Sequence, residues 1–231
     1  MRIHELQLKI KLLSDTTFGR GDGVAGLIDQ EVEHDSFGFP YLRGRTLKGL
    51  LSEECDNLVA VLPDDCRQHW QAVKDTLFGV PGSTLETMSI MHVGDACLPE
   101  PLRQAVAHQI EQPNSDLTRV EVLDSLTTIR RQTAINPENG TPVDRSLRSA
   151  RVVVRDRSDA KPRFTALLFF DEEPTPDMKA LLAVGTLALR RIGSGRNRGR
   201  GHVQCTLCEA NGQEITQRYV HRFGTVEKAN S

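Results

Sequence analysis

The first twelve residues alternate between polar and apolar side chains. Leu6, Leu8, Ile10 and Leu12 occupy every second position, with polar residues between them. Because successive side chains of a strand point to opposite faces, this alternation predicts a first strand with one buried face. Residues 18–44 contain six glycines and a proline, which prevent a long regular element. We therefore predict a long loop here, and long ordered loops are usually functional.

Apolar residues with helical spacing follow this loop. Thr46 is the predicted N-cap of a helix, whose apolar positions lie three or four residues apart: Leu47, Leu50, Leu51, Cys55 and Leu58. A second helix is predicted over residues 66–78. Residues 99–114 are amphipathic and bracketed by prolines, so they fit either a short helix or an insertion. The sequence assigns no role to residues 58–119.

The second half contains four predicted strands and a helix. Residues 152–154 begin a strand, and residues 164–170 form an apolar run of strand length. Thr175, followed by Pro176, predicts the start of a helix with Gly193 as its C-cap. Residues 202–208 are the next strand, and Asn211-Gly212 predicts a hairpin turn into a strand over 215–220. Residues 127–149 show little apolar periodicity and bury little surface alone.

The order of these elements predicts the fold class. Strand, helix, an irregular middle, strand, strand, helix and strand is the β-α-β-β-α-β order of a ferredoxin-like α+β fold with insertions. No repeat and no linker divides the chain. We predict a single domain over residues 1–231.

Composition places the chain among folded globular proteins. Of its 231 residues, 38% are hydrophobic and 26% are charged, which excludes disorder for most of the chain. No apolar run approaches the roughly 20 residues that span a bilayer, and the alternating start does not resemble a signal peptide. We therefore expect a cytoplasmic protein without a membrane partner. Five cysteines without framework spacing predict reduced thiols.

Charge is balanced overall but uneven along the chain. The formal net charge is −2, so no whole-molecule field attracts nucleic acid. Five arginines and no acid lie between residues 179 and 202: Arg190, Arg191, Arg196, Arg198 and Arg200. An acidic segment lies near the N-terminus and contains Asp15, Asp22, Asp29, Glu31, Glu33 and Asp35.

Two glycine-containing motifs are candidate phosphate sites. The glycine loop of residues 193–201 follows a predicted helix and precedes a strand, the reverse of a dinucleotide-binding fingerprint, and it has no Lys-Ser or Lys-Thr pair. Its amides and arginines suit phosphate, whereas the structural alternative is a tight turn that needs positive φ. Residues 44–49 open the first helix beside Arg43, Arg45 and Lys48, which is a phosphate site or an ordinary capped helix with solvated cations.

Metal-binding signals in the sequence are sparse. Cys205 and Cys208 form a single CxxC pair on a strand, where they point to opposite faces, and no second pair lies at zinc-finger spacing. His34 lies near Asp29 and Asp35 and is a candidate for a metal cluster, although a lone loop histidine is usually solvated. No nucleophile motif of the GxSxG kind is present.

Five segments together resemble the RAMP superfamily of CRISPR-associated proteins, in particular the backbone subunit of type III effector complexes. They are the first strand, Gly26-Leu-Ile-Asp29, residues 38–49 (GFPYLRGRTLKG), Thr133-Ala-Ile-Asn136 with Ser146-Leu-Arg148, and the glycine loop. The resemblance runs from residue 1 to about residue 208 and is loose over residues 58–119.

The resemblance implies an RRM-like palm that binds the backbone of guide RNA, with further copies of the chain stacking along it. Residues 122–151 match a thumb that reaches across the duplex of guide and target RNA. Other RAMP subunits and a large subunit are implied partners. The acid that matches Asp29 cleaves target RNA in active members, with Mg²⁺ or Mn²⁺. Arg45-Thr46 replaces small residues and the loop has extra acids, so Asp29, Asp22 and Asp35 all stay open as the working carboxylate.

Affinity for RNA is expected to come from phosphate contacts, because the sequence lacks an evident aromatic pair for base stacking. The predicted RNA-binding residues are Arg43, Arg45, Lys48, Arg130, Arg131, Arg148, Arg191, Gly193, Ser194, Gly195, Arg196, Arg198 and Arg200. We expect residues 127–149 to be ordered mainly by RNA or by a neighbouring copy.

Three other functions remain open from the sequence. The chain could hold guide RNA without catalysis, or it could process guide RNA without metal through a histidine. A small-molecule enzyme with a phosphate-binding loop is the third, and it predicts no length-dependent RNA binding.

Overall fold

The computed structural model describes residues 4–21, 23, 28–80, 82, 88–155 and 164–225. The fold is mixed α/β with an antiparallel main sheet. The strands are β1 (His4–Leu12), β2 (Met91–Val93), β3 (Thr127–Gln132), β4 (Arg148–Val153), β5 (Phe164–Phe170) and β6 (Val203–Glu209). The helices are α1 (Gly44–Ala60), α2 (Asp64–Phe78), α3 (Glu100–Ile110), α4 (Arg119–Leu126), α5 (Pro176–Ala188) and α6 (Thr216–Val220).

The main sheet has the strand order β2-β5-β1-β6, and all neighbouring strands are antiparallel. In the central strand β1, Leu8 lies opposite Ala166 of β5 and Leu207 of β6. The alternate residues Leu6, Leu8, Ile10 and Leu12 are all buried. The predicted first strand and the predicted strand over residues 164–170 are therefore confirmed. Within the described ranges, no helix is long and apolar enough to cross a membrane.

One strand of the main sheet differs from the sequence prediction. The sequence predicts that residues 152–154 begin a strand of the β-α-β-β-α-β series, but β4 lies in a separate two-stranded sheet with β3. The strand that pairs with the outer side of β5 is instead β2, whose three residues are too few to show periodicity. β4 does not join the main sheet because its other edge pairs with the N-terminal loop, where Val153 bridges Thr16 and Ala150 bridges Gln30.

Two predicted helix ends are wrong, and one predicted cap is confirmed. Helix α1 begins at Gly44, and its first amide donates to Asp95 Oδ1 at 2.7 Å, so Thr46 lies inside the first turn and is no cap. Thr175 does cap α5, because its hydroxyl accepts from the amide of Met178. Helix α5 ends at Ala188, five residues before Gly193. The predicted helix over residues 66–78 is confirmed as α2. Residues 99–114, which fitted either a short helix or an insertion, contain the short helix α3.

The C-terminal segment also differs from its prediction. The Asn211-Gly212 turn forms, with the amide of Glu209 donating to Gln213 O, but residues 216–220 are helix α6 rather than a strand. The hydroxyl of Thr216 bonds both backbone groups of Leu207. The Thr216 hydroxyl thus occupies the backbone groups of Leu207 that a further strand would pair with. Strand pairing ends at this point, and α6 packs on α5.

Candidate nucleic-acid interface and acidic loop

Two adjacent basic clefts lie between the β3-β4 hairpin and the glycine loop of residues 193–201. The inner cleft, about 480 Å³, is lined by four arginines: Arg130, Arg131, Arg155 and Arg200. The outer cleft, about 560 Å³, is lined by three more: Arg145, Arg148 and Arg198. Gln132 lines both clefts. We call the two together the basic groove, because the only acid among their described lining residues is Asp15.

The glycine loop is wound by positive backbone angles. Gly193, Gly195, Gly199 and Gly201 have φ between 76° and 80°, and Arg196–Arg198 form a single 3-10 turn between them. At Gly193 a Cβ atom would lie 2.4 Å from Thr17 O, so a larger residue would displace the N-terminal loop. The amides of Ser194 and Gly201 donate to Thr17 O and Asp15 O. The glycines therefore serve the tight turn that the sequence allowed, and the same turn presents the arginines.

The arginines of the glycine loop differ in their partners. Arg196 pairs with Glu53 of α1 at 3.0 Å, and Arg191 donates to Arg196 O. Arg198 is exposed at the outer cleft. Arg200 donates to Gln132 Oε1 at 3.3 Å, while its Nε and Nη1 atoms are buried with no hydrogen-bond acceptor among the described residues. Unpaired buried donors cost about 1–3 kcal/mol each, so an anion in the inner cleft would stabilise this guanidinium.

The start of α1 is largely occupied by protein groups. Arg43 pairs with Glu33 at 2.5 Å. Lys48 donates to Ser89 Oγ at 2.6 Å and to Met91 O at 2.8 Å, and burial lowers the pKa of this lysine. Arg45 is exposed. Thus Arg43 lies with Gly193, Ser194 and Arg196 around one small cavity of about 150 Å³, whereas Lys48 ties α1 to β2.

Asp29 is exposed and is held by β4. Its Oδ2 atom accepts from the backbone amide of Ser149 at 2.6 Å and from the Ser149 hydroxyl at 3.1 Å. Its own amide donates to Ser149 O at 3.0 Å. The two donors of Ser149 lower the pKa of the Asp29 carboxyl, with a smaller contribution from Arg148. These hydrogen bonds therefore hold the Asp29 carboxylate in a defined position.

The other described acids of the N-terminal loop have structural partners. Glu31 pairs with Arg151 at 3.0 Å, and Asp35 accepts from the amides of Phe37 and Phe39. Asp15 pairs with Arg130 at 2.6 Å; burial raises the pKa of Asp15, but the hydrogen bonds from Arg130 and Arg155 outweigh it and the net shift is downward. Asp22 and Gly26 lie outside the described residues.

The part of the chain that the structure describes has no group of three or more His, Cys, Asp or Glu residues able to hold a metal. His34 Nδ1 lies 3.0 Å from Asp35 O rather than in a cluster. Cys205 and Cys208 are buried free thiols. Among the described acids of the N-terminal loop, Asp29 is the one with an exposed side chain, and its carboxylate fits a hydrated Mg²⁺ that takes its remaining ligands from water and RNA phosphate.

Sequence reasoning missed two arginines of the basic groove. Arg155 lies in the inner cleft and donates to Leu13 O. Arg145 lies in the outer cleft with a φ of 58°. Neither belongs to a periodic or glycine-rich pattern, and only the return of the hairpin onto the glycine loop places them beside Arg198 and Arg200. Their positive charge was the one available signal.

Comparison with known proteins identifies similar chains. The family model of the RAMP superfamily matches residues 9–204. A chain in the cryo-EM structure of the Type III-B Cmr-beta bound to cognate target RNA is 14% identical, with a TM-score of 0.58 over 90% of this chain and 97% of that chain. A chain of the Type III-B Cmr-beta in the apo state is 15% identical, with a TM-score of 0.60 over 88% and 97%. A search of curated proteins finds no match.

Proposed function

The chain belongs to the RAMP superfamily, and from that membership we propose that it is a guide-RNA-binding backbone subunit of a type III CRISPR effector complex that cleaves target RNA at Asp29. The similar Cmr-beta chains support the type of complex. The observation that carries RNA binding is the basic groove, in which seven arginines line two adjoining clefts.

The proposed palm is ferredoxin-like and RRM-like. β1 and β2 are both antiparallel to β5, so they run parallel to each other with one strand between them. β5 and β6 are likewise both antiparallel to β1, so they run parallel to each other with β1 between them. Two such split β-α-β units are the arrangement of this fold. We propose one domain over residues 1–231, with residues 122–151 as the thumb.

The groove suits an RNA backbone of any sequence. Guanidinium groups bind phosphate oxygens in a forked geometry, and phosphate contacts fix position without reading bases. The proposed partners are guide RNA, target RNA, other RAMP subunits, a large subunit and further copies of this chain. Arg43, Arg45 and Arg191 extend the proposed contact surface beyond the groove.

Replacing Arg196, Arg198 and Arg200 together by Ala tests RNA binding. We expect the dependence of log K on log salt to flatten by about 0.7 for each single-strand phosphate that the variant no longer neutralises, measured by fluorescence anisotropy with single-stranded RNA. The control replaces Arg67, Arg103 and Arg218, which lie on α2, α3 and α6, and changes net charge equally. An unchanged slope in the first variant would remove the glycine loop from the RNA site.

Cleavage is proposed to use the ionised Asp29 carboxylate next to a scissile phosphate. The ribose 2′-hydroxyl loses its proton to solvent and its oxygen bonds to phosphorus as the P–O5′ bond breaks, and the leaving 5′-oxygen takes up a proton, so the products are a 2′,3′-cyclic phosphate and a 5′-hydroxyl. Asp29, with RNA phosphates, would hold Mg²⁺ or Mn²⁺, which stabilises the charge that develops on the phosphate. The two hydrogen bonds that Ser149 donates to Asp29 Oδ2, which we call the Asp29 clasp, orient the carboxylate.

Asp29→Asn and Asp29→Ala distinguish the role of the negative charge at residue 29 from the role of its hydrogen bonds with Ser149. The Asn side chain keeps an oxygen that accepts from Ser149 but has no charge, whereas Ala loses both. We expect both variants to abolish target cleavage in the reconstituted complex while guide and target affinity persist, and we expect EDTA to stop the wild-type reaction. Asp29→Asn with wild-type activity would reject this site. Loss of activity only in Asp22→Ala or Asp35→Ala would move the role along the loop.

A non-catalytic guide-binding subunit is the second candidate. It is favoured by the lack of a three-ligand metal cluster among the residues described. This candidate predicts a complex that binds target RNA and leaves it intact. A histidine-based ribonuclease would instead continue to cleave in EDTA.

A further inference from the structure

Residues 29–31 of the acidic N-terminal loop run along β4 and make hydrogen bonds with it like those of a neighbouring strand. Besides the Asp29 clasp, Gln30 bridges Ala150 in parallel, and the amide of Arg151 donates to Gln30 O at 2.9 Å. One residue further, the Arg151 guanidinium pairs with buried Glu31 at 3.0 Å and with Asp124 of α4 at 2.7 Å. Three consecutive loop residues thus contact three consecutive residues of β4, so the position of Asp29 follows that of β4.

β4 is also one wall of the basic groove. Arg148, directly before Ser149, lines the outer cleft. Across the hairpin, Arg131 pairs in register with Ser149, and Arg130 with Ala150, and both arginines line the inner cleft. RNA bound in the groove would therefore contact Arg148, next to Ser149, and also Arg130 and Arg131 on the opposite strand.

We propose that Ser149 is a positioning residue that fixes the Asp29 carboxylate relative to RNA held on the β3-β4 hairpin. The inference rests on the proposed function, because it assigns Ser149 a part in target cleavage. Both of its donors converge on one carboxylate oxygen, Oδ2, while the Asp29 side chain stays exposed. The hydroxyl limits rotation of the carboxylate, which the backbone amide alone would permit. Correct placement of a reacting group accounts for a large share of catalytic rates.

The test compares three variants of the full chain in the reconstituted complex. Ser149→Ala removes the hydroxyl and keeps the amide, and Ser149→Thr restores a hydroxyl on a residue suited to a strand. Ser115→Ala is the matched control, because Ser115 is also a half-buried serine, its hydroxyl accepts locally from the amide of Leu117, and it lies outside both clefts of the basic groove. The measurements are the single-turnover cleavage rate at saturating target, target affinity, and hydrogen exchange of the Asp29 and Gln30 amides in the isolated chain.

We expect Ser149→Ala to slow single-turnover cleavage about 3- to 10-fold, the effect of one hydrogen bond, with target affinity unchanged and with faster exchange at Asp29. Ser149→Thr should restore the rate, and Ser115→Ala should change none of the three measurements. A wild-type rate in Ser149→Ala, or a defect that Thr does not restore, would overturn the positioning role.

The outcome also separates this inference from the proposed function. If Asp29→Asn is inactive while Ser149→Ala cleaves at the wild-type rate, Asp29 is catalytic and only the role of Ser149 is rejected. If Asp29→Asn cleaves like the wild type, target cleavage at Asp29 fails and the role of Ser149 fails with it, whatever the exchange data show.

Discussion

At the scale of single residues, partners decide which cations can bind RNA. Lys48 and Arg45 stand three positions apart on α1, yet Lys48 is bonded to Ser89 and Met91 while Arg45 is exposed. An ammonium that already serves two protein acceptors must lose them before it can bind a phosphate. Arg45 has no such cost.

Lys48→Ala should therefore affect the stability of the fold, whereas Arg45→Ala should affect RNA binding. We expect Lys48→Ala to lower the free energy of unfolding by about 1–2 kcal/mol, because it removes the hydrogen bonds that Lys48 donates to Ser89 and Met91, and to leave the salt dependence of RNA binding unchanged. Arg45→Ala should change stability by less than about 0.5 kcal/mol and should weaken RNA binding. Urea unfolding followed by the single tryptophan, Trp70, and anisotropy measure the two effects. A flatter salt slope in Lys48→Ala would show that its ammonium reaches RNA.

At the scale of elements, the β3-β4 hairpin is anchored at its base and exposed at its tip. The base is held by the Asp15–Arg130 pair and the Arg151 cluster. The tip exposes three apolar side chains, Ile135, Val143 and Leu147. An exposed apolar tip gains little free energy from folding alone, so we expect a bound partner to order it.

Limited proteolysis with and without RNA tests this division of the hairpin. We expect cleavage within residues 133–147 to slow markedly when single-stranded RNA is bound, while sites in the anchored base stay resistant in both states. Arg130, Arg131 and Arg148 flank the tip and would contact the RNA. Equally slow cleavage with and without RNA would contradict the assignment of residues 122–151 as a thumb.

At the scale of the whole molecule, the fold converts a nearly neutral chain into one with a strongly basic groove. The formal net charge is −2, and most described acids of the N-terminal loop are neutralised locally by Arg43, Arg130 or Arg151. We therefore expect weak long-range attraction of RNA, and the proposed RNA binding depends on arginines gathered from the hairpin and the glycine loop. This is why the salt-dependence experiment uses variants of equal net charge.

The sequence by itself determined the elements whose signals are local. Alternation in β1, the apolar run of β5 and the Thr175 cap each lie within a few consecutive residues, so the chain's own chemistry specifies them. The glycine loop was recognisable for the same reason, since clustered glycines and arginines need no distant partner to be noticed.

Only the tertiary structure decided which strand completes the sheet and which charges remain free. β2 has three residues and forms because β5 offers it a partner, while Thr216 closes on Leu207 and prevents a strand. The Asp29–Ser149 clasp joins residues 120 positions apart, and Arg145 and Arg155 enter the groove only when the hairpin folds back. Hydrogen bonds and ion pairs depend on atoms a few ångströms apart, and no local pattern of side chains specifies that distance.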